Sequence, residues 1–153
     1  MDDASGDPSI CCSLVGMTFT DLPASWGDHP LTPDLLPDVV DLFVSEHDRV
    51  CGCLVLLLLD ADHRLLQPIV VGDVPLHTGP TGGEEFFEHL AQMVKDDDGH
   101  VVVARGRRGG EDLTVDDEDW RAACSRAFGE RLVAMFVAAP GVVRRMPPAA
   151  RAA

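Results

Sequence analysis

Tyrosine and asparagine are absent from this chain, lysine occurs once (Lys95) and isoleucine twice; arginine, alanine, valine and aspartate take their place. That pattern fits the coding bias of a high-GC genome and points to no mechanism. Metal-binding spacings are missing too. The six histidines form no His-Glu-x-x-His and the five cysteines no Cys-x-x-Cys, the short spacings by which zinc sites ordinarily announce themselves. No Gly-Lys-Ser/Thr closes a phosphate-binding loop, and Ser25, Ser45 and Ser125 stand in no Gly-x-Ser-x-Gly elbow. The expectation is a chain with no metal, no cofactor and no familiar nucleophile.

Positive charge is scarce: 12 basic residues face 26 acidic ones, a net charge of −14. Such a balance disfavours nucleic acid and anionic membranes as partners. No apolar run reaches the ~20 residues of a membrane helix. Residues 1–16 open with Asp2 and Asp3 and hold no long apolar core, so they do not read as a secretory signal, and a cytoplasmic setting is expected. There, Cys11, Cys12, Cys51, Cys53 and Cys124, odd in number and without framework spacing, read as small buried thiols.

What the chain does have is one strongly apolar stretch, Val50 to Asp60, lacking the alternation of a half-wet strand. It predicts a strand covered on both faces, central to an α/β sheet, with Cys51 and Cys53 side by side on one face. The 153 residues suffice for one domain: a disordered leader over 1–16, with Met17 or Met1 as the start, a single α/β domain over 17–146, and a disordered tail over 147–153. Residues 17–33 read as a proline-rich arm laying Phe19, Leu22 and Trp26 on the body.

A helix beginning at Thr32 or at Pro37 runs to about Arg49, with Leu36, Val39, Val40, Phe43 and His47 on its stripe. The central strand then turns at Asp60–Arg64 into Leu65–Val71, where Pro68 marks an edge or a bulge. After a glycine- and proline-rich loop over 72–83, Glu84–Lys95 is helical and buries Phe86 or Phe87, Leu90, Met93 and Val94. His100–Ala104 is a strand. Thr114 caps a further helix with Asp117 in the capping-box position; Trp120, Ala123, Cys124, Ala127 and Phe128 line its inner face, and Gly129 ends it. Strands Leu132–Ala138 and Val142–Met146 flank a Pro140-Gly141 turn. The order α-β-β-α-β-α-β-β predicts a mixed α/β (α+β) sheet of about five strands with three helices packed on it.

The His100–Ala104 strand runs into Arg105-Gly106-Arg107-Arg108-Gly109-Gly110 and then a capped helix, a usual place for an α/β protein to bind a ligand. Two readings stand side by side. In one, Arg105, Arg107, Arg108, the amides of Gly109 and Gly110, and Thr114 form an anion pocket at a helix N-terminus. In the other, the arginines pair with Glu111, Asp112, Asp116, Asp117, Glu118 and Asp119 in a solvated turn.

The succession of apolar strand, loop, Thr114-x-x-Asp117, helix, apolar strand and short last strand resembles the C-terminal half of JAB/MPN domains of the bacterial DNA-repair type. The likeness spans residues 34–146. Members of that family bind zinc through His-x-His-Pro at the strand end and Ser-x-x-Asp at the helix start. Here Arg105 and Arg107 stand in the histidine positions and Arg108 in that of the proline, while Asp117, Glu118 or Asp119 takes the acid position. The resemblance implies a metal-free relative without the family's isopeptidase chemistry. The chain also looks similar to small uncharacterised proteins of high-GC bacteria, which implies no activity. Two functions follow as expectations. One is a non-catalytic binding or regulatory module for a protein partner or an anionic small ligand, with a homodimer as one form. The other is an enzyme that holds a phosphorylated or carboxylated substrate on Arg105, Arg107 and Arg108, with Asp117 or His100 as acid/base.

Overall fold

Seven consecutive residues, Cys53–Leu59 (β1), are all buried, as the unbroken apolar stretch requires. The computed structural model describes residues 26–74 and 83–147; the expectations for the 1–16 leader, for Phe19 and Leu22, and for the tail beyond Pro147 lie outside them. Ahead of β1 come the helices Leu36–Phe43 (α1) and Glu46–Cys51 (α2). After it come Leu65–Gly72 (β2), Glu84–Asp96 (α3), His100–Gly106 (β3), Val115–Phe128 (α4), Leu132–Ala139 (β4) and Val142–Arg145 (β5). The sheet order is β2-β1-β3-β4-β5. β1 pairs antiparallel with both neighbours, Leu56 standing opposite Ile69 on one side and Val103 on the other. β3 and β4 are parallel, bridged by α4, and β4 turns back antiparallel into β5. The result is a five-stranded mixed sheet with helices on both faces.

Period-two alternation sorts the strand side chains into two cores. On one face Val55, Leu57, Leu59, Val102, Ala104, Ala134, Phe136 and Ala138 meet Leu36, Val39 and Val40 of α1. Trp26 joins this side with its ring centroid 6.2 Å from that of Phe43, as expected for the end of the arm. On the other face Leu54, Leu56, Leu58, Val101, Val103, Met135 and Val137 meet α3 and α4. There Phe87 stands 6.0 Å, edge to face, from both Trp120 and Phe128, pairs of a kind that contribute about 0.5–1.5 kcal/mol beyond burial.

The structure corrects three expectations. The first helix is broken in two at Val44-Ser45, because Ser45 caps a new helix by accepting a hydrogen bond from the Asp48 amide at 3.1 Å. This break turns His47 to solvent, off the stripe where periodicity placed it. Cys51 ends α2 rather than joining the central strand; Gly52, at φ 90°, makes the bend into β1, which a residue with a Cβ adopts only with strain. On α3 the buried stripe is Phe87, Leu90 and Val94, so Phe86 and Met93, each one position earlier, rotate out and are 41% and 46% exposed. Pro68 lies on the edge strand as anticipated. Among the described residues no helix is long and apolar enough to cross a membrane.

Candidate functional site

Alternation along β3 carries Val101, Val103 and Arg105 onto the face that α4 covers, and Arg107 follows two residues later. Above them the Thr114 cap fixes the first turn of α4. The Thr114 hydroxyl accepts from the Asp117 amide at 3.1 Å, and the Asp117 carboxylate accepts in return from the Thr114 amide at 2.9 Å. The same cap therefore aims Asp117 downwards at the end of β3.

All three charged side chains are buried: Asp117 is 0% exposed, Arg105 1% and Arg107 4%. Arg105 donates from Nη1 to Oδ1 of Asp117 at 2.6 Å. Arg107 donates from Nη2 to Oδ2 at 2.6 Å, and from Nε to Oδ1 and Oδ2 at 2.9 and 3.1 Å. Its remaining N–H groups go to backbone carbonyls: Nη1 to Arg108 and Gly110 at 2.8 and 2.9 Å, and Nη2 to Asp112 at 3.0 Å. A guanidinium has five N–H donors, and those of Arg107 are all committed inside the chain. The glycine loop is thus wrapped around a guanidinium. Gly109 sits at φ 96° with the place of a Cβ only 3.3 Å from Arg107 Nη1, so the turn needs a glycine there.

Burial alone would push the Asp117 carboxyl up. The hydrogen bond from Arg107, the Thr114 amide, the hydrogen bond from Arg105 and the charge of Arg107 outweigh it, and the carboxyl is held below its usual range. Asp117 is shared by two guanidiniums, and three loop carbonyls accept from the one of Arg107.

Set against the anion-pocket reading, the anion at Arg105 and Arg107 is the chain's own Asp117. Set against the solvated-turn reading, the pairing is dry and rests on a single acid. Arg108, Gly109, Gly110 and Thr114 are exposed. Arg108 reaches away from the cluster, donating from Nε to the Val50 carbonyl at 2.9 Å. Of the other acids, Glu118 pairs with Arg121, and Asp112 stands 3.9 Å from Arg144 at the surface. His100 is not brought to this place. It starts β3 while Arg105 lies near its end, about 16 Å away at ~3.3 Å per residue, and its ring packs on His63 at 4.3 Å.

A third buried cation escaped the sequence reading. Arg49 donates to the carbonyls of Val44 and Ala139 and to the carboxylates of Asp41 and Glu46, binding α1, α2 and the end of β4 together. A lone arginine at the polar end of an amphipathic helix carries no signal of such burial.

The residues at the strand end do not fit zinc. Guanidiniums donate hydrogen bonds and carry positive charge, whereas the ion requires lone pairs. Among the described residues no group of three or more His, Cys, Asp or Glu side chains could hold a metal ion. No family model, no curated protein and no solved structure matches the chain.

Proposed function

We propose that this chain is a non-catalytic binding module, a metal-free relative of the JAB/MPN domain, that engages a protein partner or a second copy of itself. One observation supports the reading. The strand-end pair Arg105 and Arg107 and the acid of Thr114-x-x-Asp117 meet in one buried cluster, at the positions where the resemblance places the zinc ligands. In this chain Asp117 accepts from both arginines, and the remaining N–H groups of Arg107 go to loop carbonyls. A site of that kind holds the β3–α4 junction rigid and leaves no nucleophile, base or Lewis acid directed at a substrate.

Native mass spectrometry of the protein purified from its own cells tests the binding role. The expected result is a stoichiometric complex with another protein or a dimer. A monomer that turns over a phosphorylated or carboxylated substrate, with turnover lost in a folded Arg105→Lys variant, overturns it. The kinship has a separate test in the double variant Arg105→His, Arg107→His. Two imidazoles beside Asp117 should bind cobalt(II) with the absorption of a tetrahedral site, and zinc should raise the variant's melting temperature. A folded variant indifferent to both ions removes the kinship.

A further inference from the structure

The α2 helix ends in a pair of side chains that the Arg105–Asp117–Arg107 cluster does not use. His47 and Cys51 are four residues apart, one helical turn, and therefore neighbours on the same face. His47 Nε2 lies 3.3 Å from Cys51 Sγ. His47 is exposed and Cys51 half-buried, so small molecules reach the sulfur. The other described thiols differ. Cys53 and Cys124 are both fully buried, Cys53 beneath β3, where a Cβ on Gly106 would come within 2.5 Å of its sulfur. Beside the pair, Arg108 bonds the Val50 carbonyl, which sets an exposed guanidinium against the turn that carries Cys51.

A thiolate is the reactive form of cysteine, and it is favoured by an adjacent base and by nearby positive charge. The base is present here, with His47 Nε2 3.3 Å from the sulfur.

We propose that Cys51 is a reversible modification site, activated by His47, whose co-reactant class is a small uncharged or anionic disulfide. In the exchange His47 Nε2 accepts the Sγ proton and the thiolate attacks one sulfur of the disulfide R–S–S–R. The Cys51–S bond forms as the reagent's S–S bond breaks, so the Cys51 sulfur is oxidised and the departing sulfur reduced. The departing thiolate takes the proton from the imidazolium and leaves as R–SH. A second thiol reverses the step. This inference stands apart from the binding role and from the kinship.

The test uses the reduced full chain and hydroxyethyl disulfide, with the adduct followed by mass on the peptide carrying Cys51, separately from those carrying Cys11, Cys12, Cys53 and Cys124. Cys51 should react faster in the native chain than in urea. His47→Gln, an exposed substitution checked by circular dichroism, should slow Cys51 by about tenfold, less than the 10²-fold or more of an enclosed catalytic base. A native rate no greater than the urea rate, or His47→Gln and wild type within about twofold of each other at every pH, overturns the proposal. Were the variant unfolded, the wild-type comparison decides alone: a native rate above the urea rate upholds the pair, and an equal or lower one removes it.

Discussion

Asp117 is the carboxylate that the two strand-end arginines and the α4 cap share. Its carboxylate accepts from Arg105, from Arg107 and from the Thr114 amide while fully buried. Removing its charge strands two guanidiniums in the interior, where a broken buried pair costs about 3–5 kcal/mol. Asp117→Asn should therefore lower the urea-unfolding free energy by that amount; a loss below ~1 kcal/mol would assign the cluster no structural role. The pH dependence follows from the direction of the shift. The folded carboxyl titrates below its unfolded value of about 3.9, so its contribution is complete above that pH and is lost as pH falls through the folded value. The stability gap between wild type and Asp117→Asn should stay level above about pH 5 and shrink on acidification below about pH 4. Cys124 lies at the opposite extreme. Burial pushes its thiol up to about 12, so iodoacetamide should leave it unmodified at mildly alkaline pH in the folded chain and label it in urea, as peptide mass mapping would report.

At the scale of elements, capping residues decide where helices begin and what they point at. Thr114 starts α4 and orients Asp117 in the same act, and Ser45 starts α2 and so splits one expected helix into two. Thr114→Ala should cost about 1 kcal/mol in thermal or urea unfolding, the usual worth of an N-cap. The Thr114 amide still donates to Asp117 in that variant, so its loss should remain well below that of Asp117→Asn. Equal losses would show that the hydroxyl, and not the arginine pair, holds the carboxylate. The 60–64 turn is built the same way, with Asp60 Oδ1 accepting from the amides of Asp62 and Arg64 at 2.9 Å each, which steadies His63 at φ 67°.

For the whole molecule, stability should fall off from the centre of the sheet to its β2 edge. Leu57 is fully buried in β1 between two strands, whereas Leu66 on the edge strand is 58% exposed. Leu57→Ala should cost about 2–5 kcal/mol and Leu66→Ala no more than ~0.5 kcal/mol in equilibrium unfolding. Similar values for the two would mean that β2 is covered in solution by something beyond the described residues. The chain carries a net charge of −14, while the buried charges among the described residues are Arg49, Arg105 and Arg107 with Asp48 and Asp117.

The sequence by itself determined the elements whose cause is local or periodic. An unbroken apolar run made β1 central, Pro68 put β2 at an edge, and Thr114 with Asp117 started α4, because burial pattern, a missing N–H and a cap each act within a few residues. The sequence also named Arg105, Arg107 and Asp117 without deciding between an outside anion and an inside one. Tertiary structure made that choice. Once β3 and α4 pack on the same face, Asp117 arrives at the guanidiniums already oriented and already desolvated, and the loop carbonyls close around Arg107. Chain folding likewise brought Arg49 to the end of β4, ninety residues away in the chain, and the break at Ser45 turned His47 beside Cys51 at the surface. Periodicity had sent that histidine to the core, since a heptad-like stripe records which residues are apolar and not where a helix will stop.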